Sequence, residues 1–202
     1  MKRILFLIIM VLSVIAMATG NSSKLPMGGK AMLTEVKMND ISGAEISLAD
    51  AKKENGLLVL FSGNACPFVL QWEGRYNELK TWADKNKVGM VVLNSNHQKR
   101  DGDDSLEAMK KHAAEKGYKF NYVLDDESLI ANAFGGQTTP HAFLFNSKME
   151  LVYKGAIDDS YKSAADVKEP YVKNAIAEIA AGKPVSVAET KPVGCSIKRK
   201  VE

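Results

Sequence analysis

The amino-acid sequence predicts an α/β protein with a central mixed sheet flanked by helices. Residues 57–61 and 88–93 form short, continuous apolar runs, as in strands that are buried on both faces of a sheet. The chain between these runs carries apolar side chains at intervals of three and four residues, which is typical of a helix with one buried face. Strands that alternate with helices favour parallel pairing, and a hairpin near residue 147 adds antiparallel strands.

The first 20 residues have the organisation of a secretory signal peptide. Two basic residues precede an apolar run over residues 4–18, in which Ala16 and Ala18 supply the small side chains of a cleavage site. The run has about 15 residues, fewer than the roughly 20 that cross a bilayer as a helix. We therefore expect an exported protein, periplasmic or extracellular, with no stable membrane span after cleavage. The alternative is an uncleaved N-terminal anchor.

Composition places the remainder of the chain among ordinary soluble proteins. Of 202 residues, 46% are hydrophobic and 25% are charged, so we expect a packed domain over residues 32–183. Residues 21–31 are predicted to form a flexible linker and residues 184–202 a polar C-terminal tail. The formal net charge of +3 falls to +1 without Lys2 and Arg3, and the chain has no basic patch, so nucleic acid is not an expected partner.

The first half of the domain is predicted to contain two strands and a helix. A strand over residues 33–38 precedes a turn at residues 39–43, and the buried strand at 57–61 follows. Pro67 fits the first turn of the next helix, where its missing N–H costs no hydrogen bond. The buried stripe of this helix is predicted from the spacing of Val69, Trp72, Tyr76, Leu79 and Ala83.

The second half repeats the pattern of strands and helices. Asp104 and Glu107 resemble a capping box before a helix that ends near Gly117. Pro170 opens the last helix, and Gly182 stops it. The other predicted elements are strands at 88–93 and 120–124, a short helix at 128–134, and a hairpin of residues 142–145 with residues 151–153.

Cys66 and Cys195 are the two cysteines of the chain. Two cysteines are too few for a disulfide scaffold or a four-cysteine zinc site. The remaining possibilities are one disulfide, one reactive thiol with a partner, or two inert thiols. In an exported protein a disulfide can persist.

Cys66 is the candidate nucleophile because of its predicted place in the fold. It lies between the strand that ends at Phe61 and the helix that begins near Pro67. The N–H groups at the start of a helix stabilise an anion, so a cysteine there has a depressed pKa and more of the reactive thiolate. Open α/β sheets also bind their ligands beyond the carboxyl ends of the strands.

A second feature of the sequence converges on the same place. Pro140 directly precedes the apolar run at 142–145, and a proline that enters a strand in this way is a candidate for a cis peptide bond. If this strand runs antiparallel to the strand that ends at Phe61, Thr139 and Pro140 lie beside Cys66. The backbone of Thr139 is then expected to bind a thiol-bearing substrate.

Five motifs in order along the chain resemble those of a known family. They are NACPFV at 64–69, NSN at 94–96, TP at 139–140, YKGAIDD at 153–159 and GCSIK at 194–198. The set resembles the thioredoxin-like redoxin family that is related to alkyl hydroperoxide reductase and the thiol-specific antioxidant proteins. The resemblance implies a thioredoxin-like fold, a redox-active Cys66 and a cis Pro140.

Two positions depart from the patterns of such proteins. Thioredoxin and its close relatives have a second cysteine three residues after the first, where this chain has Val69, so a local dithiol cannot form. Peroxiredoxins have Thr or Ser three residues before the cysteine, where this chain has Gly63. Peroxide reduction therefore does not follow from the resemblance.

Cys195 is the candidate partner of Cys66. It lies 129 positions later, in the polar tail, and we expect the tail to fold back across the carboxyl edge of the sheet. Cys66 would attack an oxidised substrate, and Cys195 would resolve the product. The alternative is a permanent disulfide that closes a loop of about 130 residues and stabilises the fold by up to about 5 kcal/mol.

The sequence therefore predicts an exported thiol oxidoreductase with Cys66 and Cys195 as catalytic residues and Thr139 and Pro140 as substrate-binding residues. It needs no cofactor or metal; its partners are an oxidised thiol substrate or peroxide and an external reductant. The alternatives are a peroxiredoxin-like peroxidase, a noncatalytic module with a structural disulfide, and a copper or zinc carrier that uses Cys66 and His141.

Overall fold

The computed structural model describes residues 24–201 of the chain. The predicted signal peptide lies outside the described residues, as do positions 21–23 and the last residue. Within the described part, no helix combines the length and apolar character that crossing a bilayer requires.

A seven-stranded mixed sheet forms the centre of the protein. Seven strands belong to this sheet: β1 Met38–Asp40, β2 Glu45–Ile46, β3 Gly56–Ser62, β4 Val88–Asn94, β5 Asn121–Leu124, β7 His141–Asn146 and β8 Leu151–Gly155. Two further strands, β6 Thr138–Thr139 and β9 Cys195–Ser196, lie outside it. In the central sheet their order is β2-β1-β5-β4-β3-β7-β8, and β6 pairs separately with β9. Strands β3, β4 and β5 are parallel, whereas β7 and β8 are antiparallel additions. The predicted α/β class and mixed sheet are confirmed.

Among residues 24–201, six α-helices cover the two faces of this sheet. They are α1 Leu48–Ala51, α2 Pro67–Trp72, α3 Tyr76–Lys85, α4 Leu106–Lys116, α5 Leu129–Phe134 and α6 Tyr171–Ala180. One core contains buried side chains of α2, α3, α4 and α6, and the other contains those of α1 and α5. Alternate residues of β3 and β7 point into each core, which explains the continuous apolar runs of these strands.

The helix predicted after Pro67 is interrupted. All five residues of the predicted stripe are buried, but a single 3₁₀ turn at Glu73–Arg75 separates α2 from α3. The carboxylate of Glu73 points inward at this turn. It accepts a hydrogen bond from the Tyr118 hydroxyl at 2.9 Å and lies 2.7 Å from Nε2 of His112. Apolar spacing predicted which side chains are buried, but it gave no sign of this buried carboxylate.

Two predicted element boundaries are wrong. Leu33 has a φ of 56° and accepts a hydrogen bond from the Val36 N–H, so residues 33–36 form a turn and the first strand begins only at Met38. The cap of α4 is Ser105, whose hydroxyl accepts a hydrogen bond from the Ala108 N–H. Asp104 is not the cap because its carboxylate bonds to other loops. The predicted end at Gly117, which is left-handed, is confirmed.

The segment expected to be a flexible linker is packed against the domain where the structure describes it. The N–H of Gly28 donates to the Leu151 carbonyl, and the N–H of Ala31 donates to the Met149 carbonyl. Leu25 is buried in the core that contains α5. Residues 24–31 thus run beside the β7–β8 hairpin, whose outer edge supplies their hydrogen-bond partners.

The C-terminal tail crosses the edge of the sheet. Val193 and Cys195 pack against one core, whereas Ile197 is buried in the other. The N–H of Ile197 donates to the Gln137 carbonyl at 3.1 Å, which continues the pairing of β9 with β6. The tail is therefore held on both faces of the sheet, although its composition is polar.

Replacing Ile197 with Ala tests this anchoring. We expect Ile197→Ala to lower the free energy of unfolding by about 2–5 kcal/mol, since it removes a buried side chain from a packed core. Val201→Ala is the control, because Val201 is 73% exposed and its truncation is expected to change stability by less than about 0.5 kcal/mol. Urea unfolding measures both. Equal midpoints for the two variants would show that the tail is not part of the fold.

Candidate functional site

Cys66 lies where the sequence places it, between the carboxyl end of β3 and the start of α2. It is the N-cap residue of α2, and Pro67 occupies the first helical position. Its side chain is buried, with 7% of its surface exposed. An N-cap side chain faces the unpaired N–H groups of the first helical turn, so this position favours a negatively charged sulfur.

Thr139 and Pro140 lie beside Cys66. Strand β7 runs antiparallel to β3 with His141 opposite Phe61, which brings the start of β7 to the end of β3. The peptide bond between Thr139 and Pro140 is cis, as predicted. The Cys66 thiol donates a hydrogen bond to the Thr139 carbonyl at 3.0 Å.

Cys195 reaches the same place from the tail. Strand β9 is antiparallel to β6, and Cys195 is the direct partner of Thr139 in the register. Gly194 permits this approach, because a Cβ at position 194 would overlap the Thr139 carbonyl oxygen. Both cysteines are free thiols in the structure, and each shifts the pKa of the other. The expected return of the tail to the carboxyl edge is observed.

The two thiols have opposite pKa shifts. Burial raises the pKa of Cys66, but hydrogen bonds with the side chains of Cys195 and Thr139 and with the backbone N–H of Val69 outweigh it, so this pKa lies below its ordinary value. Burial raises the pKa of Cys195 to about 11, together with the hydrogen bond to Cys66 and the charge of its thiolate. The first proton therefore leaves Cys66, and the Cys195 S–H stabilises the resulting thiolate.

A buried carboxylate, that of Asp104, organises the loops around the two thiols. It accepts hydrogen bonds from the Asn64 N–H at 2.7 Å, from Asn94 Nδ2 at 2.6 Å and from Asn96 Nδ2 at 3.0 Å. Asn64 begins the turn that carries Cys66. The side-chain oxygen of Asn96 accepts a hydrogen bond from the Lys198 N–H at 3.0 Å. One carboxylate is thus linked to the turn before Cys66 and to the tail after Cys195.

Sequence reasoning missed the role of Asp104. It predicted a helix cap at this position, and the NSN motif at 94–96 was used only as a family marker. The two asparagines in that motif were the available signal, because amide groups that follow a buried strand need hydrogen-bond partners inside the fold.

Peroxiredoxins have Ser or Thr at the position of Gly63, and neither side chain fits there in this structure without rearrangement. A Cβ there would overlap Nδ2 of Asn96. Asn96 is buried and is held at both ends of its amide, by Asp104 and by Lys198, so it has little freedom to move aside. The loop after β4 occupies the space that a larger side chain at position 63 would need.

A small cavity opens beside the two sulfurs. Its volume is about 110 Å³, and its walls include Asn96, Lys99, Thr139 and Lys198 in addition to both cysteines. The space corresponds to a few water molecules, given about 30 Å³ for each. A wider depression of about 560 Å³ over Tyr118 and Phe120 contains neither cysteine.

His141 does not form a ligand set with Cys66. Its ring packs against Phe143 in the core on the opposite face, with ring centres 4.6 Å apart, and its Nδ1 accepts a hydrogen bond from the Gln137 N–H. Burial, with the charges of Lys154 and Lys24, lowers the pKa of His141 to about 3. Among residues 24–201, no cluster of three or more His, Cys, Asp or Glu side chains is placed to bind a metal ion. The position of His141 among the side chains of the opposite core therefore gives no support to a copper or zinc site built on Cys66 and His141.

A family model described as the AhpC/TSA family matches residues 28–154 of this chain. The chain belongs to the AhpC/TSA family. The matched segment of this AhpC/TSA protein includes Cys66, Thr139 and Pro140, and it ends before Cys195. Family membership therefore bears on the first thiol and not on the tail.

Solved structures agree with this assignment. An uncharacterized conserved protein from Geobacillus kaustophilus is 30% identical, with a TM-score of 0.81 over 88% of this chain and 94% of its own. A hypothetical protein from Sinorhizobium meliloti is 28% identical, with a TM-score of 0.80 over 89% of this chain and 98% of its own.

A more distant structure shows the fold alone. It is the peroxidoxin BcpB from Mycobacterium tuberculosis, which is 13% identical, with a TM-score of 0.59 over 78% of this chain and 97% of its own. No curated protein is significantly similar to this AhpC/TSA chain. The family and the fold identify a thioredoxin-like redoxin, in general terms a thiol oxidoreductase or peroxidase.

The opposite pKa shifts in this AhpC/TSA protein predict how each thiol responds to loss of the other. We expect Cys195→Ala to raise the pKa of Cys66, because burial then acts with fewer opposing hydrogen bonds. Cys195→Ser, the matched control, keeps a donor and should raise it less. Cys66→Ser should lower the pKa of Cys195 below about 11, since the thiolate charge is removed. The pH dependence of alkylation of the remaining thiol measures each value. Identical profiles for the Ala and Ser variants would contradict the hydrogen bond between the thiols.

Removing the side-chain amide of Asn96 is predicted to lower the stability of this AhpC/TSA protein. Asn96→Ala leaves one oxygen of Asp104 and the N–H of Lys198 without their partner, and we expect a loss of about 1–3 kcal/mol in the free energy of unfolding. Asn174→Ala is the matched control, because Asn174 is exposed on α6. Urea unfolding compares them, and a loss of the same size in both variants would contradict the role given to Asn96.

Proposed function

We propose that this protein is an exported thiol oxidoreductase in which Cys66 is the nucleophile and Cys195 resolves its product. The observation that supports this function best is the pairing of β9 with β6, which brings Cys195, whose pKa is raised, beside Cys66, whose pKa is lowered. Export is inferred from the apolar N-terminal sequence.

The proposed reaction transfers two electrons through the two sulfurs. The Cys66 thiolate attacks one sulfur of an oxidised substrate R–S–S–R′, forms a mixed disulfide with R, and releases R′S⁻. Cys195 then loses its proton and attacks the Cys66 sulfur, which releases RS⁻ and leaves a disulfide between Cys66 and Cys195. The substrate is reduced and the protein oxidised. An external dithiol that transfers two electrons regenerates the two thiols.

The pKa shifts give these steps an order. The raised pKa of Cys195 results partly from the negative charge of Cys66 and from their hydrogen bond. Formation of the mixed disulfide removes both contributions, so Cys195 becomes easier to deprotonate only after Cys66 has reacted. The proposal gives the Thr139 carbonyl the role of holding the Cys66 thiol before it ionises, and it assigns Pro140 to the substrate side of the site.

Peroxide reduction is the second candidate function. Membership of the AhpC/TSA family and the small volume of the cavity favour it, because a hydroperoxide fits where a bulky oxidant does not. The Cys66 thiolate would attack the terminal oxygen of ROOH, break the O–O bond and become a sulfenic acid, while RO⁻ takes a proton from water and leaves as ROH. The Cys195 thiol would then condense with the sulfenic acid, which forms the Cys66–Cys195 disulfide and releases water. Gly63 is the feature against it, since it offers no hydroxyl to orient the peroxide.

Stopped-flow oxidation of the reduced protein tests the proposed function. We expect the wild type to react with bis(2-hydroxyethyl) disulfide at least about 100-fold faster than free cysteine does, because more of its thiol is ionised and held in place. The product should be the intramolecular disulfide, and Cys195→Ser should stop at a mixed disulfide on Cys66, seen by mass spectrometry. Cys66→Ser is the control and should react slowly.

The same experiment with hydrogen peroxide separates the candidates. A fast reaction with the disulfide alone supports the thiol oxidoreductase, and a fast reaction with peroxide alone supports the peroxidase. Equal, slow reactions of wild type and Cys66→Ser with both oxidants would exclude both functions. A Cys66–Cys195 disulfide that resists reduction until the protein unfolds would instead establish the noncatalytic module with a structural disulfide.

A further inference from the structure

Thr138 and Thr139 form a strand edge next to the reactive sulfur. An extended peptide binds to such an edge through main-chain hydrogen bonds, and pairing at this edge would present the peptide's own sulfur to Cys66. The distance of 3.0 Å from Cys66 Sγ to the Thr139 carbonyl shows how close the edge is to the nucleophile. A protein disulfide that approached in this way would need the edge to be free.

In this chain β9 already occupies that edge. Cys195 pairs with Thr139 and Ser196 pairs with Thr138, so the backbone of β9 takes the place that the backbone of a bound peptide would have. The bond from the Ile197 N–H to the Gln137 carbonyl extends the pairing by one more residue.

Contacts on both sides of β9 hold it in place. Gly194 fits closely against the Thr139 carbonyl, and Ile197 is buried with 5% of its surface exposed. Beyond them, the Lys198 N–H donates to Asn96, and the Arg199 guanidinium donates to the Asn132 side chain at 2.7 Å. A peptide that displaced β9 would have to break the whole set of contacts.

With β9 in place, a cavity of about 110 Å³ adjoins Cys66. Its volume accommodates the sulfur atoms of a small disulfide, whereas an extended peptide would need the edge that β9 occupies.

We propose that β9 makes this site selective for low-molecular-weight disulfides over protein disulfides, by occupying the strand edge that a protein disulfide would use. The inference rests on the proposed role of Cys66 as the nucleophile. The covalent steps are those given above, with a small R group. The segment that supplies the resolving thiol thus also determines the substrate class.

Two mixed disulfides with the same leaving group test the selectivity. One is cysteine amide linked to thionitrobenzoate, and the other is an unstructured ten-residue peptide whose central cysteine carries the same group. Attack by Cys66 releases thionitrobenzoate, which is followed by its absorbance. Reactions are single turnovers of the full chain carrying Cys195→Ser, in which β9 stays in place and no resolving thiol competes.

With β9 in place, we expect the peptide to react at least about tenfold more slowly than the small disulfide. Adding Ile197→Asn and Arg199→Ala to Cys195→Ser loosens the tail and should raise the ratio of peptide rate to small-disulfide rate at least about tenfold. Adding the exposed Val201→Asn instead is the matched control and should leave the ratio unchanged. A synthetic peptide of residues 194–201 with serine at 195 should restore selectivity to the loosened variant.

The outcomes separate the two claims. If Cys195→Ser reacts equally fast with both probes, or if loosening leaves the ratio unchanged, β9 does not select the substrate, whereas the role of Cys66 stands. If Cys195→Ser reacts with neither probe faster than free cysteine does, the assignment of the nucleophile fails, and the selectivity fails with it.

Should circular dichroism show that Ile197→Asn unfolds the chain, Gly194→Ala displaces the strand without touching the core and is expected to raise the ratio in the same direction.

Discussion

The antiparallel contact between Cys195 and Thr139 is the interaction on which the rest of the site depends. It joins two thiols that are 129 positions apart in the chain, and it does so with backbone pairing rather than with a mobile loop. A short strand of two residues is weak alone. Here it is held because Ile197 is buried beyond it and because Gly194 allows the main chains to approach closely.

The electrostatics of the site follow from that contact. Burial alone would raise the pKa of either thiol, whereas the influence of each cysteine on the other lowers the pKa of Cys66 and raises that of Cys195. The Asp104 carboxylate contributes at a distance, since it fixes Asn64 before the nucleophile and Asn96 beside the tail. A polar network that contains neither thiol therefore also holds the segments next to both of them.

Local patterns in the sequence predicted the part of the site that local structure determines. A buried strand followed by Cys66 and Pro67 fixes the place of the nucleophile, and Pro140 before an apolar run fixes the edge beside it. Both predictions follow from backbone geometry over a few residues. The strand predicted at 33–38 was wrong because the left-handed Leu33 begins a turn at residues 33–36.

The register of the tail and the network around Asp104 could not be predicted in this way. Each depends on contacts between segments far apart in sequence, such as Asn96 with Lys198, and no periodicity records such a contact. The break at Glu73 has the same origin, since its partners His112 and Tyr118 come from later elements. The polar composition of the tail predicted a solvent-exposed segment, whereas the tail packs against both cores.

The effective concentration of Cys66 and Cys195 for each other tests the central claim most directly. It is obtained from the equilibrium of the pair with reduced and oxidised glutathione, measured in buffer and in concentrated guanidinium chloride. The structure predicts a value in the folded protein at least about 100-fold above that of the unfolded chain, because the fold holds the sulfurs together. An equal or lower value in the folded protein would mean that the tail does not deliver Cys195 to Cys66.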